Sequence, residues 1–199
     1  MADTRATRLA HETIYTGRVF TVDRDRVRLP KGMEATLEVV RHTGSVVLLP
    51  MPDPGHVILV KQYRYAIDRW VWELAAGTLE PGEDPVAGAL RECEEETGLE
   101  AGEAGFLGAF YPTPGYCDEC MNFFRLTRLA PPAGRPPASP DPDEDIRTKT
   151  FSIGEVRQMI AGGGIVDLKT VAGISLIPAP RRARGSRRAR PAGPAAAGR

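Results

Sequence analysis

The stretch that most constrains this chain is Gly77 to Leu99, GTLEPGEDPVAGALRECEEETGL. Asp84 is suited to cap a helix, and Pro85 to its first turn, where a missing N–H costs nothing. Gly98 suits a left-handed stop, so the expected helix runs from Pro85 to Thr97. At about 100° per residue, Val86, Ala89, Leu90, Cys93 and Thr97 share one stripe, read as the core face. Glu92, Glu95 and Glu96 gather on an adjacent stripe, because positions three and four apart are neighbours, and Glu94 points away from both. Gly88, among the acids, leaves room for another piece of backbone to come close. Three carboxylates on one helix wall repel unless a cation lies between them. Oxygen-only ligands suit a hard divalent ion, Mg²⁺ with Mn²⁺ possible. The alternative is a solvated acidic face, the ordinary meaning of a charge run.

Gly77, Glu83, Arg91, Glu92, Glu95, Glu96 and Gly98 coincide with every fixed position of the pattern GX5EX7REUXEEXGU, and Cys93 and Leu99 fill its apolar positions. On these residues the chain resembles the Nudix hydrolases. The flanks RHTGSVVLLP and VKQYRYAIDRWVWELAAG, with the loop Thr113-Pro-Gly-Tyr-Cys-Asp-Glu119, resemble the ADP-ribose pyrophosphatase branch. The likeness extends from about Glu12 to Ile177. It departs at Ala75 in place of proline, at Thr113 in place of serine, and at Leu37, near where some relatives carry an arginine.

The resemblance implies metal-dependent hydrolysis of the pyrophosphate bond of ADP-ribose, giving AMP and ribose 5-phosphate. A pyrophosphate brings about two negative charges to an acidic cleft, which divalent ions must bridge. By the same resemblance Glu92 and Glu96 are the principal metal ligands, with Glu95 assisting and the Ala76 carbonyl as a backbone ligand. Arg91 would orient a neighbouring glutamate, and Glu83 secure the loop and helix start. In Asp143-Glu-Asp-Ile146, Glu144 is the candidate general base, set against one more solvated acid. Arg64 lies where relatives contact a phosphate, its plainer reading being a strand arginine paired with an acid. Glu119 is a candidate extra ligand, and Gly115 belongs to the same substrate-binding loop. Tyr63, Trp70 and Trp72 are candidates to stack on adenine, against a place in the core. Asp167-Leu-Lys-Thr170 resembles the start of the family's C-terminal helix.

The rest of the chain alternates strand patterns with a few helices, an α+β class. Strands are expected in Glu12 to Leu29 (two, around Gly17), Thr36 to Arg41, Val46 to Leu49, His56 to Tyr65, Ala104 to Phe110, Met121 to Leu129 and Ile146 to Ser152, with Trp70 to Leu74 leading into the signature loop. Helices are expected in Gly154 to Ile160 and Leu168 to Leu176. The resemblance adds the detail of an α/β/α sandwich around a mixed sheet. The division expected is a flexible 1–11, N-terminal strands in 12–45, a hydrolase domain in 46–177 and a disordered tail in 178–199. Alternating strands before residue 30 would leave open edges in a monomer, and relatives of this branch pair there, so a homodimer is expected.

Charge is uneven although 26 basic and 26 acidic residues balance. Residues 178–199 hold seven arginines and no acid, leaving 19 basic against 26 acidic in the body. A carboxylate-rich body fits metal chemistry better than nucleic-acid binding, and the tail lacks aromatic residues for stacking on RNA. No apolar run reaches membrane-span length and the first residues lack a signal-peptide stretch, so the cytoplasm is the expected location. Three cysteines (Cys93, Cys117, Cys120) and scattered histidines argue against a disulfide framework and against zinc. The rival functions are a pyrophosphatase of GDP-mannose or a UDP-sugar and a non-catalytic nucleotide-binding module.

Overall fold

A computed structural model describes residues 5–138 and 146–178. The described chain forms β1 (Thr7–Thr16), β2 (Phe20–Arg28), β3 (Glu34–His42), β4 (Ser45–Pro50), β5 (His56–Arg64), β6 (Arg69–Glu73), β7 (Ala76–Thr78), α1 (Pro85–Thr97), β8 (Glu100–Phe110), β9 (Met121–Ala130), β10 (Arg147–Ser152), α2 (Ile153–Ala161) and α3 (Leu168–Leu176). All six residues of β4 are buried. Successive side chains of a strand point to opposite faces. Val46 and Leu48 therefore enter one apolar cluster with Ala89 and Cys93 of α1, while Val47 and Leu49 enter another with Val156 of α2 and Ile174 of α3. Helices thus cover both faces of the central strands, the expected α/β/α sandwich within an α+β fold.

The central sheet has the order β7-β4-β9-β8, with β4 and β9 parallel and the other pairs antiparallel. A second sheet, β10-β5-β6, and a third, β1-β2-β3, are antiparallel throughout. Among the described residues no helix is long and apolar enough to cross a membrane. The tail beyond Pro178 and the acidic loop 139–145 lie outside the described residues.

Helix α1 has the expected bounds. Asp84 Oδ1 accepts the N–H groups of Val86 and Ala87 at 3.0 and 3.1 Å, and Gly98 ends the helix at φ 71°. Its buried face differs from the expected stripe. Val86 and Leu90 are exposed, and Gly88 and Glu96 are buried in their stead. The cause is the loop before the helix: a Cβ on Gly88 would stand 2.6 Å from the Leu79 side chain. It is this loop's side chains, not a passing backbone, that use the space at Gly88.

Strand β1 begins at Thr7, so residues 7–11 belong to the sheet rather than to a flexible arm. Thr7 pairs with Arg28, and the His11 ring bonds Asp25 at 2.8 Å. Strand β8 begins at Glu100, four residues before Ala104, because it starts directly from the Gly98 stop. Strand β7, not anticipated at all, is a three-residue pairing onto β4.

Candidate active site

Arg91 is the hub of the acidic helix wall. Its Nε and Nη2 each donate to Glu83 at 3.0 Å, and its Nη1 donates to Glu92 at 2.7 Å and Glu95 at 2.9 Å. Glu83 also accepts the Glu80 N–H at 3.0 Å, which secures the loop as expected. The hydrogen bond from Arg91 holds the Glu83 carboxyl below its ordinary range, and the same bond raises the guanidinium above its own. The repulsion among neighbouring carboxylates is therefore relieved in part by a side chain of the same helix. Cys93 faces the core, where burial pushes its thiol up to about 11. Glu94 points away from the trio, as expected, and is taken up by Arg135 and by the Ala138 N–H at 2.9 Å.

Two contacts bind this wall to β7. Glu96 Oε1 accepts the Ala76 N–H at 3.2 Å. The Glu92 carboxylate lies directly over Gly77, where an added Cβ would stand 1.8 Å from Glu92 Cδ. A strand of three residues can reach the helix this closely only if one of them has no side chain there.

Residues Ala76, Gly77 and Thr78 also form a wall of a cavity of about 410 Å³. Arg64, Glu73, Glu119 and Lys169 line it, with Ser45 and Asp167. Arg64 gives its Nε and Nη2 to Glu73 Oε1 at 2.8 and 2.7 Å, and Glu119 accepts the Ser45 hydroxyl at 2.8 Å. The structure thus brings Arg64, Glu119 and Ala76 to one cavity, and Ala76 and Gly77 of its lining are also the residues that Glu96 and Glu92 approach.

Other expected site residues stand elsewhere. Gly115 is not among the cavity-lining residues. Thr113 accepts both the Tyr116 and Cys117 N–H groups, closing a turn with nothing within 4 Å of where a Gly115 Cβ would be. Tyr63, Trp70 and Trp72 occupy the opposite face of the β5–β6 pair from Arg64, Val71 and Glu73. Tyr63 packs edge-on against Trp70 at 5.8 Å, and Trp72 against Phe151 at 5.0 Å. Strand alternation turns them away from the cavity, which removes them as adenine platforms there. Glu144 lies outside the described residues.

Two buried charged residues of the cavity were not among the expected site residues. Glu73 and Lys169 are both buried and meet at 2.5 Å, and Lys169 also approaches Asp167 at 3.3 Å. Each had a signal: Glu73 is the one acid in the run WVWELAAG, and Lys169 the one charge in the helix LKTVAGISL.

Residues 41–168 match the family model of the NUDIX domain. The chain belongs to the Nudix family. It is 34% identical to an ADP-ribose pyrophosphatase of Bacillus subtilis, covering 85% of this chain and 90% of that one. It is 37% identical to an ADP-ribose pyrophosphatase of Mycobacterium tuberculosis, over 83% and 80% of the two chains. It is also 35% identical to a methanol dehydrogenase activator of Bacillus methanolicus, over 83% and 89%. A solved structure described as an ADP compounds hydrolase shares the fold, with a TM-score of 0.76 at 23% identity over 89% of this chain and 94% of that one.

Nudix ADP-ribose pyrophosphatases are metal-dependent, and the donor set here suits a hard divalent cation in kind. It is all oxygen, set on adjacent turns and pressed against a backbone stripped to glycine at Gly77. Among the described residues no three acidic, histidine or cysteine side chains are already arranged to hold a metal ion; Arg91 engages Glu92 and Glu95, and the Ala76 N–H engages Glu96.

Proposed function

We propose that this Nudix hydrolase cleaves the pyrophosphate bond of ADP-ribose, releasing AMP and ribose 5-phosphate. The observation that carries the reading is the shared wall Ala76–Thr78. These residues receive the Glu92 and Glu96 carboxylates of the signature helix and also line the cavity that holds Arg64. The same activity is named for relatives that match over most of the chain.

When bound, Mg²⁺ or Mn²⁺ neutralises the pyrophosphate and stabilises charge developing at phosphorus. Glu92, Glu96, Glu95 and the Ala76 carbonyl would hold it. Arg91 touches no substrate in this scheme. It keeps Glu92 and Glu95 side by side on the helix wall through bonds of 2.7 and 2.9 Å. Arg64 offers a guanidinium, suited in shape and charge to a phosphate. Glu119, tied to Ser45, borders the same space. Gly115 leaves its turn free of side-chain bulk beside that loop. Glu144 accepts the proton of the attacking water, a role worth typically 10²–10⁴-fold.

The protein acts as a homodimer in the cytoplasm in this reading. Ile14, Tyr15, Val19, Phe20 and Leu37 are exposed on the N-terminal strands and their connections, an apolar surface that a second copy would cover. Light scattering during size-exclusion chromatography should give twice the chain mass, and a monomer at working concentration would refute the pairing.

The deciding assay offers Mg²⁺ with ADP-ribose, ADP-glucose, GDP-mannose, UDP-glucose and NADH, and measures nucleoside monophosphate release. ADP-ribose should give the highest kcat/KM. Preference for GDP-mannose or UDP-glucose would reassign the base pocket, and an intact panel would leave a nucleotide-binding module instead of an enzyme.

A further inference from the structure

The buried pair Glu73–Lys169 has no part in the scheme above, yet both residues line the cavity. Glu73 is 2% exposed, so its charge requires compensation from within the protein. Two cations supply it, and they divide the carboxylate between them. Lys169 Nζ takes Oε2 at 2.5 Å, and Arg64 takes Oε1 through Nε and Nη2 at 2.8 and 2.7 Å. Asp167 caps α3 through the Thr170 N–H at 2.9 Å, and Thr170 in turn accepts the Leu74 N–H at 2.8 Å. Helix α3 is thereby fastened to the strand end that carries Glu73.

We propose that Lys169, acting through Glu73, is a positioning residue that sets the direction in which Arg64 faces the cavity. A free carboxylate invites arginine to use both oxygens in a two-pronged fork. With Oε2 taken by Lys169, Arg64 is confined to Oε1, and among the described residues its Nη1 has no protein acceptor. That nitrogen is then available to a phosphate oxygen. Without Lys169 the guanidinium would pivot onto both oxygens and turn its free edge away. The inference rests on the proposed contact of Arg64 with the pyrophosphate.

Steady-state hydrolysis of ADP-ribose with Mg²⁺ tests it, with a thermal midpoint for each variant. Lys169→Met should raise KM about tenfold with kcat changed less than about twofold, since the lost contact is one made equally to substrate and transition state. Lys169→Arg, which keeps a cation on Oε2, should recover most of the loss. In an Arg64→Ala background Lys169→Met should add nothing. Unchanged KM in Lys169→Met, an effect confined to kcat, or full additivity with Arg64→Ala would overturn the proposal. Arg64→Ala with wild-type KM would instead overturn the phosphate contact on which it rests. Should Lys169→Met not fold, Glu73→Gln keeps the anchor's shape without its charge and carries the same expected rise in KM and the same refutation.

Discussion

Gly77→Ala separates the chemistry of the helix wall from its stability. The new methyl carbon would stand 1.8 Å from Glu92 Cδ and 2.0 and 2.2 Å from the two carboxylate oxygens. Carbon atoms settle at about 3.5–4.0 Å, so the carboxylate must retreat by at least roughly 1.5 Å. Glu92 is a flexible side chain, whereas β7 is paired to β4 on one side, so the side chain gives way first. Gly77 does not adopt the left-handed backbone that only glycine takes easily, and alanine there reduces the freedom of the unfolded chain, worth about 0.4–1 kcal/mol in favour of folding. The fold should therefore survive with a thermal midpoint within a few degrees of wild type. Displacing a reacting group by about 1 Å costs on the order of 100-fold, equivalent to about 2.7 kcal/mol of transition-state stabilisation. ADP-ribose turnover measured with Mg²⁺ should accordingly fall about 100-fold in kcat/KM, with more Mg²⁺ required for half-maximal rate. Wild-type turnover would show that Glu92 is not needed where it lies. A collapse of the thermal midpoint would show that the strand, not the side chain, absorbed the clash.

Glu96→Gln keeps the shape that meets the Ala76 N–H but removes a ligand charge, so it should abolish turnover while leaving the circular dichroism spectrum unchanged; full turnover at saturating Mg²⁺ would refute the assignment. Glu94 is held at a pKa of about 2, against an ordinary 4.5, mainly by Arg135 and then by the Ala138 N–H. Its contribution to stability is complete above about pH 4.5 and is lost as pH falls towards 2, so Glu94→Gln should flatten the acid limb of the stability curve and leave turnover at neutral pH unaltered. Superimposable acid limbs would show that the Arg135 contact adds nothing. Leu126 is fully buried beneath α1, and Leu126→Ala should cost about 2–5 kcal/mol in urea unfolding; a loss under 1 kcal/mol would mean the cluster repacks. Glu144→Gln should slow kcat with KM little changed, and a wild-type kcat would return that acid to solvent.

Much of the site could be read along the chain because it depends on local geometry. A cap, a stop and spacings of three and four residues suffice to place Glu92, Glu95 and Glu96 together and Glu94 apart, and α1 has the bounds those signals imply. The apolar run Val46 to Leu49 was likewise visible as a short buried strand, which β4 extends by one buried residue at each end. What depends on distant partners was not visible. The rotation of α1 that exposes Val86 and Leu90 comes from Leu79 packing at Gly88. The turning of Trp70 and Trp72 away from the cavity follows from which face of β6 meets Phe151 and Tyr63. Lys169 meets Glu73 across 96 residues of chain, and Arg41 ties Asp23, Asp25 and Asp118 across as many as 77. Periodicity reports a residue's angle around its own helix or strand and carries no information about what packs against it. The bounds of the acidic helix and the direction of its carboxylates were therefore legible in the sequence alone. The cavity beside it, and the buried charges that line that cavity, were decided only when α3 and β6 came together in three dimensions.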